Sequence, residues 1–191
     1  MAFTVRTSDS HPIYVDEVPL PDLPGRMGLT IAPGKRGTRL LGQGEWKRDL
    51  EPDLARLRSV FGTELLVSLM QGFEYEELGI ADLDARASAH GIRVRRFPIP
   101  DMDTPDEADA PAFAALIDEV RSELASGRTV TVHCRGGLGR SGLVAACVLV
   151  RSGMAPDAAI AHVRAHRKGA VETHGQEAYV RGYAARTEGR A

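Results

Sequence analysis

From about residue 27 the chain alternates between short apolar runs and stretches of helical periodicity, and glycines close most of the latter. Gly28 to Ala32, Leu65 to Met70, Ile92 to Phe97 and Thr129 to His133 read as strands. Between them the periodicity predicts helices from Asp49 to Phe61, with Asp49 as N-cap, from Asp82 to His90 and from Phe113 to Ala125. Gly62, Gly91 and Gly127 stop them. After the last strand come helical stretches from Arg140 to Gly153, Pro156 to Lys168 and His174 to Ala185. Strands separated by helices cannot pair as tight hairpins and need crossovers instead. The expected fold class is therefore α/β: a central mixed, mostly parallel sheet flanked by helices on both faces.

Residues 1–25 hold Pro12, Pro19, Pro21 and Pro24 and read as an N-terminal arm, packed on or extending the domain, with one extended piece from Ile13 to Val18. Residues 26–191 are expected to form a single domain, which suits a 191-residue chain. A net charge of −2 gives no reason to expect nucleic acid or an anionic membrane as partner. The longest aliphatic stretch, Leu143 to Val150, is far short of the ~20 residues of a membrane helix. The N-terminus shows no apolar leader segment, so a soluble, monomeric, cytoplasmic protein is expected. Two cysteines, Cys134 and Cys147, make neither a disulfide scaffold nor a four-cysteine zinc site. His162 and His166 have an i, i+4 spacing that metals can use, but no third ligand accompanies them, so they read as a polar helix face and no metal or cofactor is expected.

Cys134 stands between a strand and a helix, in His133-Cys134-Arg135-Gly136-Gly137-Leu138-Gly139-Arg140-Ser141-Gly142. Backbone N–H groups in a loop that opens into a helix make an anion cradle, and the helix dipole adds partial positive charge. That setting favours a thiolate at its base. Arg140, six positions on, could grip two oxygens of a tetrahedral anion with its planar fork. Thiolate, cradle and arginine together describe a phosphate-ester site with a phosphocysteine intermediate. The spacing alone is weak: with 21 arginines and two cysteines in the chain, chance supplies it about a fifth of the time. The flanking His133, Gly137 and Ser141 make it specific. Gly137 to Gly142 also fits the dinucleotide pattern G-x-G-x-x-G, but no strand ending in an acidic residue follows the helix. A buried cysteine in a glycine turn leaves His133, Arg140 and Ser141 unexplained.

This segment resembles the phosphate loop of the protein tyrosine phosphatase superfamily. The loop's run into GLVAACVLV, the upstream PIPDMDTPD, the downstream GAVETHGQ and the early GLTIAPGKRG resemble, within it, the kinase-associated (cyclin-dependent kinase inhibitor-type) dual-specificity phosphatases. The resemblance covers roughly residues 26–185 and implies a metal-free, cysteine-dependent phosphatase. Its substrate would be a protein carrying phosphotyrosine, phosphoserine or phosphothreonine, or a small phosphorylated molecule such as an inositol phosphate. A phospho-binding module without turnover is the remaining alternative. The resemblance implies Cys134 as nucleophile and Arg140 as phosphate ligand. Arg135, Gly136, Gly137, Leu138 and Gly139 would form the binding loop. His133 would orient the cysteine, Ser141 would donate to the leaving thiolate, and Gln176 would position water, the alternative for Gln176 being an exposed residue at a helix start. The general acid would come from the loop at Asp101, Asp103 and Asp106, with Asp101 matching the family's Pro-Ile-x-Asp pattern. Asp106 and Asp109 otherwise read as solvated residues, Asp109 capping the next helix. Only Arg135 is basic among the variable loop positions, which disfavours a polyphosphorylated inositide. Cys147 reads as a packing residue.

Overall fold

The computed structural model describes residues 4–38 and 44–188. Its main sheet has five strands in the order β2 (Asp16–Val18), β3 (Arg26–Thr30), β8 (Thr129–His133), β6 (Leu65–Ser68) and β7 (Arg93–Arg96). β2 is antiparallel to β3, and the other pairings are parallel. The mixed, mostly parallel sheet is the one the alternating pattern predicts. A smaller sheet joins β1 (Val5–Arg6), β5 (Glu45–Lys47) and β4 (Arg36–Thr38).

Strand alternation divides the apolar residues between two layers. Leu65 and Val67 of β6 join one core and Leu66 joins the other. The first core, with Val130 and Val132 of β8, packs against α4 (Ala110–Ala125), α5 (Gly139–Arg151), α6 (Pro156–His166) and α7 (His174–Glu188). The second packs under α1 (Leu50–Ser59), α2 (Gly72–Leu78) and α3 (Leu83–Ala89). Asp49 caps α1 as its sequence suggests, accepting from the Glu51 N–H at 3.1 Å. Cys147 is wholly buried on α5, where burial pushes its thiol well up. None of the described helices is long and apolar enough to cross a membrane.

Several boundaries differ from the sequence expectation. The extended piece at Ile13 to Val18 narrows to Asp16–Val18, while Ile13 and Val15 are buried in the second core. Strands β1, β4 and β5 are two or three residues long, too short to show a period. α4 begins at Ala110 rather than Phe113, because a 3₁₀ turn over Glu107–Asp109 leads into it. Asp109 occupies the N-cap position but makes no capping bond. Its φ of −88° and ψ of −4° lack the extended conformation that aims a cap side chain at the first N–H groups. Helix α2, absent from the sequence reading, matters most because it faces the cysteine loop.

Candidate active site

β8 is the central strand, and the loop after it lies at the carboxyl end of the parallel strands, the usual place for ligands in such sheets. Residues 134–138 form the loop, and α5 starts at Gly139. Cys134 is almost fully buried at its base, 3 % exposed. The Gly137 N–H donates to Cys134 Sγ at 3.1 Å, and Ser141 Oγ lies 3.7 Å from the same sulfur. Gly137 has φ +69°, and a methyl group there would come within 2.2 Å of Thr30 O, so both the turn and the packing require glycine.

His133 is buried, and its Nδ1 donates to Cys134 O at 3.3 Å. Its Nε2 has no partner. Burial, and to a lesser degree the Arg140 charge, pulls its pKa down to about 4, so the ring is neutral at pH 7.

Arg140 is 1 % exposed and nearly all its donors are engaged. Nη1 and Nη2 hold the two oxygens of Glu74 at 2.6 and 2.9 Å, and Nη1 also reaches Ile99 O and Leu69 O at 3.1 and 3.3 Å. Nη2 pairs with Asp101 Oδ1 at 2.8 Å. Nε, buried, has no partner. Burial alone would push the Glu74 carboxyl up. Its bonds from Arg140 and from the Gln71 N–H (2.8 Å) hold it below the usual carboxylate range. Burial likewise works against the Arg140 charge, and Glu74 with the neighbouring acidic groups more than offsets it.

The acid loop is tied to the sheet and to Arg140. Phe97 N–H donates to Ser68 O at 2.9 Å and Ile99 N–H to Leu69 O at 3.1 Å. The loop then turns at Asp101, with the Asp103 N–H on Pro100 O at 3.1 Å and Met102 at φ +63°. The carboxylate of Asp103 turns back to the Thr104 N–H at 2.8 Å, and Asp106 is exposed. Of the three acid candidates, Asp101 is the one paired with Arg140. Gln176 is fully buried. Its Oε1 accepts from the Glu172 and Thr173 N–H groups at 2.9 and 3.3 Å, and its Nε2 donates to Asp103 O at 3.1 Å. It is not an exposed helix-start residue: it lies against Gly139, where a methyl group would meet its Nε2 at 3.0 Å. Arg135 turns outward to Glu77 at 2.5 Å.

The chain thus brings His133, Cys134, Arg135 to Arg140, Ser141, Asp101 and Gln176 around one loop. Glu74 was missed in sequence reading, because its partner is 66 residues away and α2 is a seven-residue helix without a strong start signal. His162 and His166 donate to Pro19 O and His162 O.

Known proteins carry the same architecture. Kinase-associated phosphatase, solved with its catalytic-site cysteine replaced by serine, superposes with a TM-score of 0.84 at 26 % identity over 94 % of this chain and 98 % of that one. Tk-PTP in its active form gives 0.69 at 24 % identity over 90 % and 97 % of the two chains, a likeness of fold. Cyclin-dependent kinase inhibitor 3 from Rattus norvegicus and from Homo sapiens is 32 % identical over 137 residues, 70 % of this chain. The match takes in 63 % of those relatives' length. The profile of the family described as "Polymorphic toxin system, DSP-PTPase phosphatase" matches residues 43–154, more than half of the chain and a span that includes α2, the acid loop and the cysteine loop. The chain belongs to the dual-specificity and tyrosine phosphatase family.

Proposed function

We propose that the chain hydrolyses phosphate monoesters on protein side chains, phosphotyrosine and phosphoserine or phosphothreonine, through a phosphocysteine on Cys134. The observation that carries this reading is the pairing of a buried sulfur, held by a loop N–H and Ser141, with a buried arginine whose Nε still has a free hydrogen. A phosphoryl group above Cys134 would take Arg140 Nε and the Nη2 hydrogen now on Asp101. Asp101 would then turn to the leaving oxygen. Sulfur attacks phosphorus, the P–O bond to the leaving group breaks, and Asp101 gives that oxygen its proton. In the second step water attacks phosphorus, Asp101 takes the proton, and the P–S bond breaks with Ser141 donating to the departing thiolate. The loop N–H groups hold the phosphoryl oxygens throughout. The bonds of Gln176 to both the α7 approach and Asp103 O support a role in keeping the acid loop beside the water path.

A panel of phosphopeptides and inositol phosphates, assayed with Cys134→Ser as control, tests the proposal. Turnover of phosphopeptides by the native chain, abolished in Cys134→Ser with phosphate binding retained, is the expected result. Preference for inositol phosphates moves the substrate to a small molecule, and activity surviving in Cys134→Ser overturns the mechanism. Asp101→Ala should flatten the basic limb of the pH–rate profile, and an unchanged profile moves the acid to Asp103.

A further inference from the structure

A loop that turns its N–H groups toward an anion turns its carbonyls the other way, and buried carbonyls need donors. His133 Nδ1 serves Cys134 O at 3.3 Å. Lys35 Nζ at 3.1 Å and the Ala32 N–H at 3.4 Å serve Arg135 O. The Gly142 and Val171 N–H groups serve Leu138 O at 2.9 and 3.3 Å. The two middle carbonyls, Gly136 O and Gly137 O, share one donor group, the guanidinium of Arg167.

Arg167 follows α6. Its Nη2 lies 3.3 Å from Gly136 O and its Nε donates to Gly137 O. Its Nη1 donates to the carboxylate of Asp16 on β2. The pair is largely out of water, with side chains 13 % and 28 % exposed. The peptide unit between Gly136 and Gly137 is therefore held at both ends. Its carbonyl is on Arg167, and its N–H is on Cys134 Sγ at 3.1 Å. Glycines on both sides leave that plane free to rotate unless something outside holds it.

We propose that Arg167, braced by Asp16, is a positioning residue that sets the Gly136–Gly137 peptide so that its N–H faces the sulfur and the phosphoryl oxygens. The inference rests on the phosphate-ester reading of the Cys134 loop. Lysine cannot replace this arginine, because a single ammonium cannot span two carbonyls and a carboxylate in a fixed plane. The proposal also gives the N-terminal segment a share in the site, since Asp16 lies far ahead of Cys134 in the chain.

The test compares Arg167→Lys, Arg167→Met and Asp16→Asn with the native chain. Three quantities are read: kcat/KM on p-nitrophenyl phosphate, protection of Cys134 from iodoacetamide by inorganic phosphate, and melting temperature. Both Arg167 variants should lose on the order of 10²-fold in kcat/KM, the scale of a small misplacement at a reacting centre. Asp16→Asn should lose about tenfold, with phosphate protection weakened in all three. Arg167→Lys within about twofold of native activity overturns the proposal. So does an Arg167→Met chain that melts lower yet, below its melting temperature, keeps native phosphate protection and rate. If Arg167→Met does not fold, the other two variants decide by the same criteria. A native chain protected by phosphate but without turnover fails the proposed function, and the clamp is then judged by protection alone. A native chain that neither binds phosphate nor turns over overturns both.

Discussion

Single side chains in this site are held by partners near and distant in sequence, which is why some contacts could be read from the sequence and others could not. Cys134, Arg140 and Ser141 stand in one short segment whose glycines announce a turn into a helix, so their coming together was legible. Glu74 was not, although it grips Arg140 with both oxygens and is as deeply buried as its partner, with side chains 2 % and 1 % exposed. Removing it leaves the buried guanidinium with the exposed Asp101 as its remaining carboxylate partner. Glu74→Ala should cost about 3 kcal/mol in urea unfolding and lower kcat/KM as well. A loss below about 0.5 kcal/mol contradicts this. His133 gives a second prediction at this scale. Its native pKa of about 4 lies below the ordinary 6.5, so between those values the unfolded state binds more protons than the native one. The stability that the neutral ring contributes is intact above pH 6.5 and is lost as pH falls toward 4, up to about 3 kcal/mol. Urea midpoints measured across that range should fall for the native chain and fall less for His133→Gln. Equal slopes contradict the assignment.

Elements with a strong period were readable and elements without one were not. β8 and the start of α5 lie where alternation and glycine placed them, within a residue at either end. α2 has only seven residues, and its N-terminus is set by the Glu74 carboxylate accepting from the Gln71 N–H rather than by a Ser, Thr or Asp cap. The acid loop carries several carboxylates whose ranking depends on a turn that the sequence does not announce: Met102 takes φ +63°, a conformation usually left to glycine. Loop geometry supplies the prediction here. Gly137→Ala should force Thr30 O and the alanine methyl apart and turn the loop N–H away from Cys134. Phosphatase activity should drop by on the order of 10²-fold or more, with far-UV circular dichroism unchanged. Retained activity would mean that the cradle tolerates a different backbone than the one described.

At the scale of the whole molecule, the apolar cores on the two faces of the sheet hold the acid loop and the cysteine loop in one frame. Phe113 is the hinge of the larger core. It touches Phe97, Tyr179 and Tyr183 at 5.5, 5.6 and 6.0 Å between ring centres, linking the strand that feeds the acid loop to the helix that carries Gln176. Phe113→Ala should cost about 3–5 kcal/mol, read from the denaturation midpoint. The smaller sheet holds the single tryptophan, Trp46, beside Arg6 and Lys35. We propose that this sheet and the N-terminal segment fold together with the main domain, so tryptophan fluorescence and far-UV circular dichroism should report one coincident transition. Two separate transitions would divide the chain. The covalent intermediate can be caught by rapid acid quenching of the native chain during turnover, followed by peptide mass spectrometry. One phosphoryl group on the Cys134 peptide and none on Cys147 is the expected result. Steady turnover with Cys134 unmodified at every quench time, or phosphate on another side chain, would contradict it.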